Sequence, residues 1–109
     1  MKILTKELET KLTNAKRECQ TNKPYLKLFS PVGSATWLIS EYMPDERMFF
    51  GLCDLGMGSP ELGYVGLDEI LETTLQWGLK IERDTSWTPD HTLNTYYEMA
   101  RKHGRIVYA

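Results

Sequence analysis

The sequence predicts an α+β fold: a single small domain over residues 1–109, with a mostly antiparallel sheet of about four to five strands and about three helices. Three observations predict it. Apolar residues recur at helical spacing near both ends of the chain and once in between. Alternating and continuous apolar runs fill the middle. The connections between those runs are too short to hold crossover helices, so antiparallel neighbours are the simplest arrangement.

At the N-terminal end, Leu4, Leu8, Leu12, Ala15 and Cys19 form one apolar stripe at steps of three and four. Thr5 suits the N-cap, and Glu7 and Glu9 fall where the positive helix end favours acids. "NKP" at Asn22–Pro24 ends this helix. Two strands follow, Tyr25 to Phe29 and Ser34 to Glu41, joined by the turn "SPVG". In the second, Ala35, Trp37 and Ile39 alternate with Thr36, Leu38 and Ser40, the pattern of a half-buried strand with Trp37 in the core. "MPDE" at Met43–Glu46 is a turn by composition. Arg47 to Leu55 and Leu62 to Val65 give a third and a fourth strand. Leu67, Ile70, Leu71 and Leu75 mark a second helix, entered at Gly66 and closed near Gly78. Leu79 to Glu82 alternate as a fifth strand. Thr88-Pro89-Asp90 resembles a helix start with proline in the first turn, Leu93, Tyr96, Tyr97 and Ala100 supply the core stripe, and Gly104 suits a left-handed cap.

Composition excludes several classes. An aromatic content of 11% is far above that of a solvated tail, so disorder is not expected. No apolar run approaches the length of a bilayer span and no charged-then-apolar leader begins the chain, so a cytoplasmic protein with no membrane partner is expected. In that reducing setting Cys19 and Cys53 read as small buried hydrophobes. The net charge of −2 is unevenly spread. Residues 1–27 sum to +4, residues 28–90 to −8 and residues 91–109 to +2. Two basic ends thus flank an acidic middle, a distribution that steers association with a charged partner or merely solvates the faces.

Five of the eight glycines lie in "FGLCDLGMGSPELGYVG", residues 50–66. A dinucleotide fingerprint requires G-x-G-x-x-G leading into a helix, but the glycine after Gly56 and Gly58 is Gly63, two places late and followed by a strand pattern. A Walker loop requires G-K-[ST], and no lysine stands between Lys27 and Lys80. A hairpin explains the same residues, because Gly56 and Gly58 adopt positive φ without steric cost. Asp54 and Glu61 then flank the hairpin mouth.

Ala35-Thr36-Trp37-Leu38, Phe50-Gly51-Leu52-Cys53-Asp54-Leu55-Gly56, Pro60-Glu61-Leu62-Gly63-Tyr64-Val65 and Glu82-Arg83-Asp84, in this order, resemble a family catalogued as domain of unknown function 2958. The resemblance runs from the N-terminal helix to "HGRI". It implies a small protein of plasmids, phages or integrated elements, with an accessory role in antirestriction or conjugation, and supplies neither a reaction nor functional residues.

Three functional readings follow from the residues. The leading one is a non-catalytic interaction module that contacts a host or element-encoded protein, with a binding surface made of Asp54, Glu61, Glu82, Arg83, Asp84 and Trp87. Trp87, in the loop "DTSWTPD", is the tryptophan expected to be exposed, and aromatic anchors of this kind dominate protein interfaces. The alternative is a divalent-metal-dependent hydrolase of nucleic acid. In it Asp54, Glu61, Glu82 and Asp84 converge on Mg²⁺ or Mn²⁺ and Lys80 stabilises charge. Outside that alternative no metal or cofactor is expected, and its bland counterpart is that these acids cap turns or pair with Arg47 and Arg83. The second alternative is nucleic-acid binding by Lys6, Lys11, Lys16 and Arg17 of the first helix. His91 and His103 lack partners at zinc-ligand spacing, no G-x-S-x-G elbow is present, and a net charge of −2 falls far short of a DNA mimic's acid content.

Overall fold

A computed structural model describes residues 2–17 and 19–109, so the expected passage of the first helix through Glu18 lies outside the described residues. The elements follow in the order α1 (Lys6–Thr13), β1 (Leu26–Phe29), β2 (Thr36–Met43), β3 (Met48–Asp54), β4 (Glu61–Gly66), α2 (Leu67–Glu72), a 3₁₀ turn (Gln76–Gly78), β5 (Glu82–Arg83) and α3 (Leu93–His103). All pairings are antiparallel, and the sheet order is β4-β3-β2-β1-β5. The α+β class with one mostly antiparallel sheet is therefore observed.

The sheet is covered on both faces. Leu26, Leu28, Trp37, Ile39 and Phe49 meet Leu12 of α1 and Leu67 and Ile70 of α2. Leu38, Phe50 and Leu52, which alternate with them, meet Leu93, Tyr96 and Ala100 of α3. The expectation that β2 is half-buried is corrected here: Leu38 and Ser40 are fully buried because α3 covers the second face. Trp37 sits in the core as expected.

Between Ile39 and Glu41 the β2–β3 register slips by one residue, and Ser40 is the extra residue of a bulge. Gly51 lies opposite Ile39 at this point. A β-carbon there would fall 2.0 Å from the carbonyl oxygen of Leu38, so only glycine lets the two backbones approach this closely.

The helix boundaries differ from the sequence reading for identifiable reasons. Thr5 caps α1, its side chain accepting from Leu8 N, but the helix stops at Thr13 rather than running toward Asn22. Past Asn14 the loop carbonyls have another use: Gln20 O and Asn22 O accept from Asn94 N and Leu93 N at the start of α3. These two long-range bonds fix the chain after α1 as a loop against the start of α3. The last helix begins at the Thr92 cap rather than near Pro89, because Asp90 N is donated to the Tyr96 hydroxyl and Thr92 accepts from Thr95 N. Gly104 ends α3 with φ 73°, the left-handed cap expected of it.

The second helix stops at Glu72, short of Gly78, and its entry is fastened where the Glu69 carboxylate accepts from Gly66 N. The chain then turns tightly. Thr74 and Lys80 bridge, Leu79 N donates to Gln76 O, and Trp77 and Gly78 at the tip both have positive φ. The fifth strand is consequently displaced to Glu82–Arg83. Among the described residues no helix is long and apolar enough to cross a membrane.

Candidate functional site

The glycine-rich stretch is a hairpin between β3 and β4, with Gly56 at φ 81° and Gly58 at φ 83°. Its anchor is Asp54, which is only 3% exposed. One carboxylate oxygen accepts from Gly56 N at 2.8 Å and the other from Ile106 N at 2.9 Å. The carboxylate thus occupies the amide that a bound phosphate would have to use, and it ties the tail after α3 to the end of β3. Asp54 serves as an internal clamp, each of its carboxylate oxygens engaged by a backbone amide.

The other acids do not join it. Asp54 pairs with Thr36, Thr36 with Phe29, and Phe29 with Glu82. Glu82 is therefore three strands away, about 14 Å at the usual interstrand spacing. Glu61, exposed at the start of β4 opposite Cys53, lies one strand further out on the other side. Asp84 is engaged by Ser86 N and, at 3.8 Å, by Lys27. Lys80 donates to the Thr74 hydroxyl. Among the described residues no three His, Cys, Asp or Glu side chains are placed to hold a metal ion. Convergence of Asp54, Glu61, Glu82 and Asp84 is thus corrected: short connections make neighbouring strands, but this strand order sends β4 and β5 to opposite edges.

The basic residues of the first helix are dispersed as well. Lys6 borders a hollow with Lys2, Tyr42 and Leu71. Arg17 sits in the following loop, 3.9 Å from Glu46, and Lys16 is exposed in that loop with its carbonyl bound to Asn22. With α1 ending at Thr13, these cations never form one helical stripe. Arg47, opposite α2, forks onto Asp68 with bonds of 2.7–3.2 Å. This hydrogen bonding holds the Asp68 carboxyl below its usual range.

What the fold does bring together is Lys11 of the first helix with Arg83, Asp84 and Trp87 from the far end of the chain. They line one open groove of about 490 Å³, with Tyr25 and Lys23 among its other walls. Each is placed by local structure. Lys11 pairs with Glu7 one turn earlier at 3.5 Å, and its ammonium lies 5.4 Å from the Tyr25 ring centroid. β5 is held to β1 by Asp84 N donating to Lys27 O, and Arg83 Nε donates to Lys2 O. The Asp84 side chain then turns the chain at Ser86, which lays Trp87 half-buried against Tyr96 at 6.1 Å. Lys11, Lys23, Lys27 and Arg83 outnumber Glu7 and Asp84 on these walls, so the groove carries an excess of positive charge. Its ion pairs are long and partly exposed, and such pairs hold their partners weakly.

Two corrections concern the aromatic residues. Trp87 is not the exposed tryptophan; Trp77 is, at 84% exposure. Tyr25 and Lys27, which the sequence reading passed over, belong to the groove. Their signal was present: they stand two apart, Tyr25 immediately before β1 and Lys27 within it, and so alternate with the buried Leu26 and Leu28. The expected single surface is also divided. The glycine loop, with Leu55 and Met57 exposed, continues β3, whereas residues 83–89 flank β1 nearer α1.

The two thiols are inequivalent. Burial pushes Cys53 up to about 11. The Thr21 hydroxyl, 2.9 Å from the Cys19 sulfur, holds that thiol below its ordinary value.

No curated protein and no solved structure matches the chain. A family model described as "Protein of unknown function (DUF2958)" matches residues 3–107, and with almost the whole length aligned the chain belongs to that family.

Proposed function

We propose that this protein is a non-catalytic interaction module, acting in the mobile-element accessory role that the family resemblance implies, and that its groove beside α1 receives an acidic segment of a partner protein. One observation carries the reading: residues more than 70 positions apart, Lys11 and Arg83–Trp87, line a single open groove with a cationic excess and two aromatic walls. An acidic segment matches that excess, and Tyr25 and Trp87 supply the planar surfaces on which interface energy concentrates. The carboxylates of the hydrolase reading lie along the sheet without a shared centre, which leaves the contact reading favoured.

Affinity capture from host lysate tests it, comparing the wild type, Lys11→Glu/Lys23→Glu and Met57→Ser on the glycine loop. The reading expects a protein retained by the wild type and by Met57→Ser and lost with the charge reversals. Nothing retained above background, or equal retention by the charge-reversed variant, contradicts it.

A further inference from the structure

At the opposite end of α3 from the groove, eleven residues or roughly 16 Å along the helix, lies a second charged surface. Arg101, Lys102 and Arg105 are all exposed, and none of them forms an ion pair among the described residues. Even Glu98, one turn before Lys102, is not engaged with it. A helix C-terminus favours cations in its last turn, and that preference accounts for Arg101 and Lys102. It does not account for Arg105, which lies beyond the left-handed Gly104, or for the aromatic rings beside these charges. The Arg101 guanidinium lies 5.6 Å from the Tyr97 ring centroid. His103 meets Tyr108 edge to face at 5.8 Å, and Tyr108 is 71% exposed. The tail is not loose, because Ile106 N is tied to the buried Asp54.

We infer that this end of α3 binds single-stranded nucleic acid. Phosphates sit on Arg101, Lys102 and Arg105, and a base stacks on the open face of Tyr108. Unpaired cations are free to release phosphate counterions, and an exposed ring held in place by a neighbouring imidazole offers a sequence-tolerant stacking surface. This surface is separate from Lys6, Lys11, Lys16 and Arg17 and does not depend on the groove.

Fluorescence anisotropy tests it, using a labelled twelve-nucleotide DNA strand, the RNA of the same sequence, the DNA duplex and polyglutamate as a competing acidic polymer. The wild type is expected to bind the single strands at 50 mM salt. Three phosphate contacts predict that affinity falls about 20-fold between 50 and 200 mM salt. Arg101→Ala/Lys102→Ala/Arg105→Ala should abolish binding while keeping the wild-type circular dichroism. Tyr108→Ala should weaken single-strand binding about tenfold and leave any duplex binding unchanged. Lys6→Ala/Lys11→Ala should bind as the wild type does. Absence of binding at 50 mM salt, equal binding by the triple variant, an unaltered Tyr108→Ala, or displacement by polyglutamate at equal charge overturns the inference.

Discussion

Asp54 looks in the sequence like a candidate ligand at a loop mouth, yet it is buried and holds two backbone amides, that of Gly56 beside it and that of Ile106, 52 positions further on. Hydrogen bonds to a charged acceptor each contribute about 1.5–3 kcal/mol. Asp54→Ala is therefore expected to destabilise the fold by about 3 kcal/mol, seen in chemical denaturation as a lowered midpoint at unchanged slope; a wild-type midpoint would remove Asp54 from its structural role. Trp77 shows the reverse case, a residue that works against the fold. It has φ 58° at the first central position of a tight turn followed by Gly78 at φ 73°, a pair of conformations that favours Asn-Gly. Trp77→Asn should relieve a non-glycine left-handed backbone and stabilise by about 1 kcal/mol, measured as a raised thermal midpoint. The thiols give a third expectation at this scale. At pH 7.5 iodoacetamide should label Cys19 and spare Cys53, whose burial keeps it protonated. Labelling of Cys53 at the rate of Cys19, read by peptide mass spectrometry, would contradict the placement of β3 against its neighbours.

At the scale of elements, Gly51 is where β2 and β3 lie closest. A methyl group at this position meets the Leu38 carbonyl and the Ile39 α-carbon, both of them backbone that cannot step aside. Gly51→Ala should cost about 3 kcal/mol, the upper end for an overpacked core, whereas Gly63→Ala, one strand over with open space around it, should cost far less; equal losses in paired thermal melts would show that the bulge is not what Gly51 serves. Legibility in the sequence divides along the same line. Apolar runs separated by short turns identified β1 to β4, and Trp37 in the core, because strand-forming residues and their turns act locally; burial of the second face of β2 was not legible, because it depends on α3. Cap chemistry identified Thr5 and Gly104, because a side-chain acceptor and a left-handed glycine act within a few residues. The early end of α1 was not legible, because the loop that follows it is held by bonds from Gln20 O and Asn22 O to the start of α3, some seventy residues away. The brevity of α2 was hidden by Leu75, which continues the apolar stripe in sequence but packs on the core from a turn.

Over the whole molecule, the sheet order decides what the site can be. Asp54, Glu61, Glu82 and Asp84 were each readable as strand-end acids, but nothing local says that β4 and β5 occupy opposite edges. Likewise Lys11 and Trp87 were readable singly, while their meeting in one groove depends on β5 pairing with β1 beside α1. The same order separates a cationic groove at one end of α3 from the unpaired cations at the other. It leaves the glycine hairpin as a scaffold closed by its own carboxylate. The central claim is that partner contact occurs through the groove and not through that hairpin. Site-specific photocrosslinking tests it most directly, with a benzophenone side chain placed at Thr85 on the groove wall or at Met57 on the hairpin, both exposed. The account predicts a discrete crosslinked protein in host cells from position 85 and none from position 57; adducts from position 57 alone, or from neither, would contradict it.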